Sequence, residues 1–110
     1  MTVVELPQNK EQVVLCLHRI VERVTKLDPM SAFGFFRNTN LPLFIERAML
    51  EIGNDGKTYF LVDGIIVNQE NDRCSTSWRG DVDEILVDVD EDGEGIVIKT
   101  TGKPTLTMYL

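Results

Sequence analysis

The densest chemistry-bearing residues in the chain are acidic. Asp88-Val89-Asp90-Glu91-Asp92-Gly93 reads as the D-x-D-x-D-G opening of a calcium loop. With Asp88 at loop position 1, Asp90, Asp92 and Gly93 fall at positions 3, 5 and 6. Position 12 calls for a bidentate glutamate, and here it is Lys99, a cation. Helices should flank such a loop, yet "EILVDV" and "GIVIK" alternate as strands do. A tight turn at Asp92-Gly93 explains the same residues better. It pairs Val89 with Ile96, Val87 with Ile98 and Ile85 with Thr100 on one apolar face. Asp88 with Val97 and Leu86 with Lys99 fall on the other. No metal and no cofactor is therefore expected.

The remaining reactive side chains lack partners at any recognisable spacing. His18, the only histidine, lies at the margin of a helical apolar stripe and reads as a partly buried structural residue. Cys16 and Cys74 form no C-x-x-C and read as two free thiols. Carboxylates are plentiful enough for a glycosidase-like pair, but 110 residues leave little room for a deep cleft. Phosphate loops and nucleophile elbows are absent from the sequence, so the chain is expected not to be an enzyme. Arg79-Gly80-Asp81 reads as a turn into the next strand. Trp78, in a polar stretch, reads equally as a core-edge residue and as an exposed anchor for a partner. Phe33, Phe35 and Phe36 read as core, with an exposed interaction patch as the alternative.

Helices and strands must position these groups. Val13, Leu17, Ile20, Val24 and Leu27 recur every three or four residues, which predicts a helix over 9–27. Asn9 caps it, Gln12 completes a capping-box pattern, and Asp28-Pro29 ends it. Asn40 and Pro42 open a second predicted helix running to about Ile52, with Leu43, Phe44, Met49 and Ile52 inward and Gly53 as its stop. Beyond residue 56 the period becomes two. "KTYFLV" and "IIVNQ" flank Asp63-Gly64, a hairpin signal, with one long strand bulged at Gly64 as the alternative. Short strands follow near 74–78, 84–90, 94–101 and 104–109. The expected fold is α+β in a single domain spanning 1–110. Two N-terminal amphipathic helices (about 9–52) cover one face of an antiparallel sheet of four to six short strands (about 57–109).

Charge narrows the function. The formal net charge is −7. Residues 1–55 hold seven acids and six bases, whereas 56–110 hold eleven acids and five bases. Between 81 and 94, eight of fourteen residues are Asp or Glu, and none is a base. Such a surface repels nucleic acid and anionic membranes and favours a basic protein partner. No secretory leader and no apolar run of about 18 residues is present, which points to the cytoplasm. The expected function is that of a small acidic binding protein neutralising a basic partner, concretely an immunity or antitoxin protein acting on a toxin such as a nuclease. In that reading Asp81, Asp83, Asp88, Asp90, Glu91, Asp92 and Glu94 steer the partner and Trp78 anchors it. A secretion-type chaperone, a calcium-responsive module and a structural subunit of an assembly are the alternatives. Oligomeric state is left open.

Overall fold

The computed structural model describes residues 9–27, 31–37, 39, 41–89 and 93–110. The first helix forms as the apolar stripe requires. α1 spans Lys10–Lys26 and buries Val13, Leu17, Ile20 and Val24. Burying each such side chain is worth roughly 1.5–3 kcal/mol. The Asn9 side chain accepts the Glu11 backbone N–H at 2.9 Å, which satisfies one free donor of the first turn. At the other end, the Leu27 backbone N–H donates to the Arg23 and Val24 carbonyls. Asp28 and Pro29 lie outside the described residues.

Strands fill the rest: β1 Phe33–Phe36, β2 Leu43–Ile52, β3 Thr58–Val67, β4 Arg73–Asp81, β5 Leu86–Val89, β6 Ile96–Lys99 and β7 Leu106–Tyr109. A 3-10 turn, Val82–Glu84, joins β4 to β5. The α+β class therefore holds, but with one helix and seven antiparallel strands among the described residues. The second helix, expected from Asn40 to about Ile52, is replaced over Leu43–Ile52 by β2, and Asn40 lies outside the described residues. The reason is local. Glu46 is an extra residue opposite the Gly64/Asp63 step of β3, a bulge that interrupts the pairing between Ile45 and Arg47. Leu43, Ile45 and Ala48 are buried while Glu46 and Arg47 are exposed, so the period of two is broken and resembles helical spacing. Phe44 and Met49 point to the opposite face, and Ile52, expected inward, is 77% exposed.

The hairpin expected at Asp63-Gly64 is also absent. β3 runs straight through both residues, and the bulge lies on its partner. Gly64 serves close approach: a Cβ there would meet the Phe44 carbonyl oxygen at 2.5 Å and Leu43 at 2.8 Å. The β5–β6 register is the expected one, with Leu86 opposite Lys99, Val87 opposite Ile98, Asp88 opposite Val97 and Val89 opposite Ile96. Gly93 takes φ 73° in the connection; residues 90–92, the rest of the predicted turn, lie outside the described residues.

The strand order is β4-β3-β2-β1-β7-β6-β5. It consists of two meanders, β1 to β4 and β5 to β7, joined where β1 pairs with β7. The first and last strands are thus interior neighbours, and β4 and β5 are the two edges. Five Cα steps separate Asp81, the last residue of β4, from Leu86, the first of β5. They span at most about 18 Å. Seven flat strands would set those edges roughly 29 Å apart. The sheet must therefore curl. Its inner face and α1 enclose Phe60, Leu17, Ile20, Leu43, Ile98, Leu106 and Met108, each almost wholly buried. Val82 and Ile85, on the crossover between edges, join the same core.

Candidate partner-binding surface

Five of the eight acidic residues of the run lie among the described residues. Asp81 ends β4, and its carboxylate accepts the Asp83 backbone N–H at 2.9 Å, capping the 3-10 turn. The other Asp81 oxygen lies 3.6 Å from Lys57. Asp83 binds the Lys10 ammonium at 2.6 Å. That hydrogen bond, with the charge behind it, pushes the Lys10 pKa above its ordinary value. Glu84, which the sequence reading left out of the site, is exposed beside them. Asp88 sits on edge strand β5, 3.2 Å from Lys99. Glu94 is exposed in the β5–β6 connection. Asp90, Glu91 and Asp92 lie outside the described residues. The fold thus gathers Asp81, Asp83 and Glu84 where β4 ends, and sets Asp88 on the other edge strand, β5, with Glu94 in the connection that follows it. The solvent side of α1 differs in sign, carrying Lys10, Arg19, Arg23 and Lys26 against Glu11 and Glu22.

Trp78 is not an exposed anchor. It is 3% exposed and packs edge-to-face on Phe60 with centroids 6.3 Å apart. Its indole N–H donates to the Pro104 carbonyl at 2.9 Å, tying β4 to the β6–β7 connection. The polar stretch around it is an edge strand whose inward positions alternate with solvent-facing ones, so a Trp amid Ser and Thr is still a core residue.

A cleft of about 470 Å³ opens beside Asp83, between the N-terminal half of α1 and the β2–β3 hairpin. Val14, Leu50, Ile52 and Val82 give it apolar surface, and Lys10, His18, Glu51, Lys57 and Asp83 are its charged or titratable members. His18 is exposed there rather than part of the core. Its apolar members suit the aliphatic stem of a long side chain, and its charged members balance, Lys10 and Lys57 against Glu51 and Asp83. Sequence reasoning missed this cleft because its floor combines α1, β2 and the 3-10 turn, and because Ile52 was assigned to a helix core.

Further depressions lie elsewhere. A shallow polar one of about 550 Å³ is lined by Glu46, Arg47, Asp63, Gly64, Ser75, Thr76 and Ser77. Its Asp63 carboxylate is already held by Arg47, at 3.2 Å from Nε and 2.5 Å from Nη2. Another includes Tyr59, over whose ring Arg79 lies 3.7 Å from the centroid. The Tyr59 hydroxyl donates to Asp55. That bond, helped by the Lys57 backbone N–H, holds the Asp55 carboxyl below its ordinary pKa, and in return raises that of Tyr59. Among the described residues no three His, Cys, Asp or Glu side chains gather as metal ligands. The calcium reading needs Asp90 and Asp92, which lie outside them.

Both cysteines are free. Cys74 is exposed, whereas Cys16, on α1, is half-buried and burial raises its thiol pKa. A thiol reagent at neutral pH is expected to modify the exposed Cys74 in a fast phase and the half-buried Cys16 in a slower one, because only an accessible thiolate reacts. Cys74→Ser should remove the fast phase; retention of that phase would refute the assignment.

Among the described residues no helix is long and apolar enough to cross a membrane. Compared with known proteins, the chain matches no family description, no curated protein and no solved structure.

Proposed function

We propose that the protein is a non-enzymatic binding protein of the cytoplasm that neutralises a basic protein partner, in the manner of an immunity or antitoxin protein acting on a toxin such as a nuclease. The observation that carries this reading is the acidic run. Eight of fourteen residues from 81 to 94 are acidic, and the run begins beside a partly apolar cleft. A nuclease site is basic because its substrate is anionic. An acidic corner approaching it gains long-range attraction, and the cleft gives the encounter a place to lock. Intramolecular pairs such as Lys10 with Asp83 add little stability at the surface. They are exchangeable for a partner's cations.

The test is capture of the tagged protein with its bound material at low salt, followed by washes of rising ionic strength. A single basic protein released by salt is the expected result. Asp83→Lys with Glu84→Lys should then slow association with that protein about tenfold or more, with little change in the dissociation rate. An association rate unaffected by these reversals would remove the acidic run from the mechanism. Recovery of no partner, or only of further copies of the same chain, would remove the reading itself. A partner that resists salt and binds as an unfolded segment would point instead to a chaperone.

A further inference from the structure

The inward row of β2 runs out of the core before the strand ends. Ala48, Leu50 and Ile52 alternate on the α1 side of the sheet, opposite Val62, Phe60 and Thr58 of β3. Ala48 is 4% exposed, Leu50 is half-buried and Ile52 is 77% exposed. Among the described residues Ile52 is the most exposed large apolar side chain. Phe33, also exposed, has a ring partner: it stacks on Tyr109 with centroids 5.2 Å apart. Phe35, expected in the core, lies 6.3 Å from the same ring, and of the three phenylalanines only Phe36 is buried. Ile52 stands instead at the cleft beside Asp83, with Val14, Leu50 and the buried Val82 as its apolar neighbours there. Hydrophobic stabilisation follows the area removed from water, so an isoleucine this exposed adds little to the fold. It gains its burial when a partner covers it.

Charge decides which partner does so. Within the cleft Lys10 and Lys57 balance Glu51 and Asp83, so the interior favours an uncharged side chain. Just outside, Asp81 and Glu84 add two carboxylates against the guanidinium of Arg79, which lies 3.7 Å from Glu51. The surroundings are therefore acidic, as is the second half of the chain as a whole. Resting on the partner reading above, we infer that Ile52 and this cleft are the anchor of that interface, and that they take an aliphatic side chain flanked on the partner by basic residues. The carboxylates draw the basic residues in, and the apolar contact holds them. The role expected of Trp78 thus passes to Ile52. A volume of about 470 Å³ lies within the roughly 300–1,000 Å³ of sites that enclose a ligand group.

Methyl NMR on the full chain at physiological salt tests this with three amidated heptapeptides, one alternating lysine with leucine, one lysine with serine and one glutamate with leucine. The lysine–leucine peptide should shift the methyl signals of Val14, Leu50, Ile52 and Val82 and bind at least about tenfold more tightly than the lysine–serine peptide. The glutamate–leucine peptide should not bind. Ile52→Ser should abolish the advantage of leucine and leave lysine–serine binding as it was, whereas Ile52→Met should keep most of that advantage. Both variants change an exposed side chain and should retain the wild-type circular dichroism; the three peptides on the wild type decide the matter even without them. The inference is overturned if leucine gives no gain over serine, if the shifts avoid the cleft, or if Ile52→Ser binds the lysine–leucine peptide as the wild type does. Capture of a basic partner alongside peptides that bind alike would leave the partner reading standing and place its anchor elsewhere.

Discussion

Trp78→Ala should lose about 3–5 kcal/mol of stability, the range for truncating a large buried aromatic. A domain of this size has roughly 5–15 kcal/mol in total, so the variant stands near the edge of folding. Three losses coincide. The indole fills the space beside Phe60, its edge-to-face contact disappears, and the Pro104 carbonyl loses its donor. Trp78→Phe separates them: it keeps a ring but removes the hydrogen bond to the carbonyl of the exposed Pro104, a loss of about 0.5–1.5 kcal/mol. Urea unfolding followed by circular dichroism reads both, since no other tryptophan supplies a fluorescence signal. A Trp78→Ala variant with the wild-type midpoint would mean that the indole is not packed where the structure puts it.

Gly34→Ala should be at least as damaging, although it adds only one methyl group. A Cβ at Gly34 would lie 2.0 Å from the Thr107 carbonyl oxygen and 3.2 Å from the Met108 Cα. Both are backbone atoms of the neighbouring strand, and Gly34 pairs with Met108 in the β1–β7 ladder. No rotamer change relieves the clash, so the two strands must separate. Overpacking usually costs about 1–3 kcal/mol, and a rigid backbone obstacle places this case at or above the upper end. Amide exchange should show lost protection at Thr107 and Met108 before any loss in the β3–β4 ladder. Uniform protection like that of wild type would contradict the close approach.

The parts of the fold legible in the sequence were those with an uninterrupted period. The four-residue buried stripe of α1 needs only 3.6-fold spacing, and the β5–β6 register follows from alternation on both sides of a Gly. β2 was illegible because one bulged residue, Glu46, shifts the phase of alternation, while Leu, Glu, Arg, Ala and Met favour helix intrinsically. Pairing with β1 and β3 overrides that preference. Gly64 was misread because a Gly needed for close backbone approach looks in sequence like one needed for a turn. At the candidate site, the acidic run was legible as composition. The cleft was not, since its surface comes from residues 14, 50, 52 and 82, brought together only by the fold.

The joining of the first strand to the last has a consequence for how the chain is made. Synthesis proceeds from the N-terminus at roughly 5–20 residues per second. The β1–β4 meander can form as soon as it emerges. It then waits with β1 as an open edge, because its other neighbour is β7, about 70 residues later in the sequence. Until Leu106–Tyr109 clear the ribosome, β5 and β6 have no sheet to join, and the two meanders remain separate pieces. The corner formed by Asp81, Asp83 and Glu84 joins those pieces. Its finished shape therefore appears only once β7 has emerged, and a partner that reads that shape does not bind a shorter nascent chain.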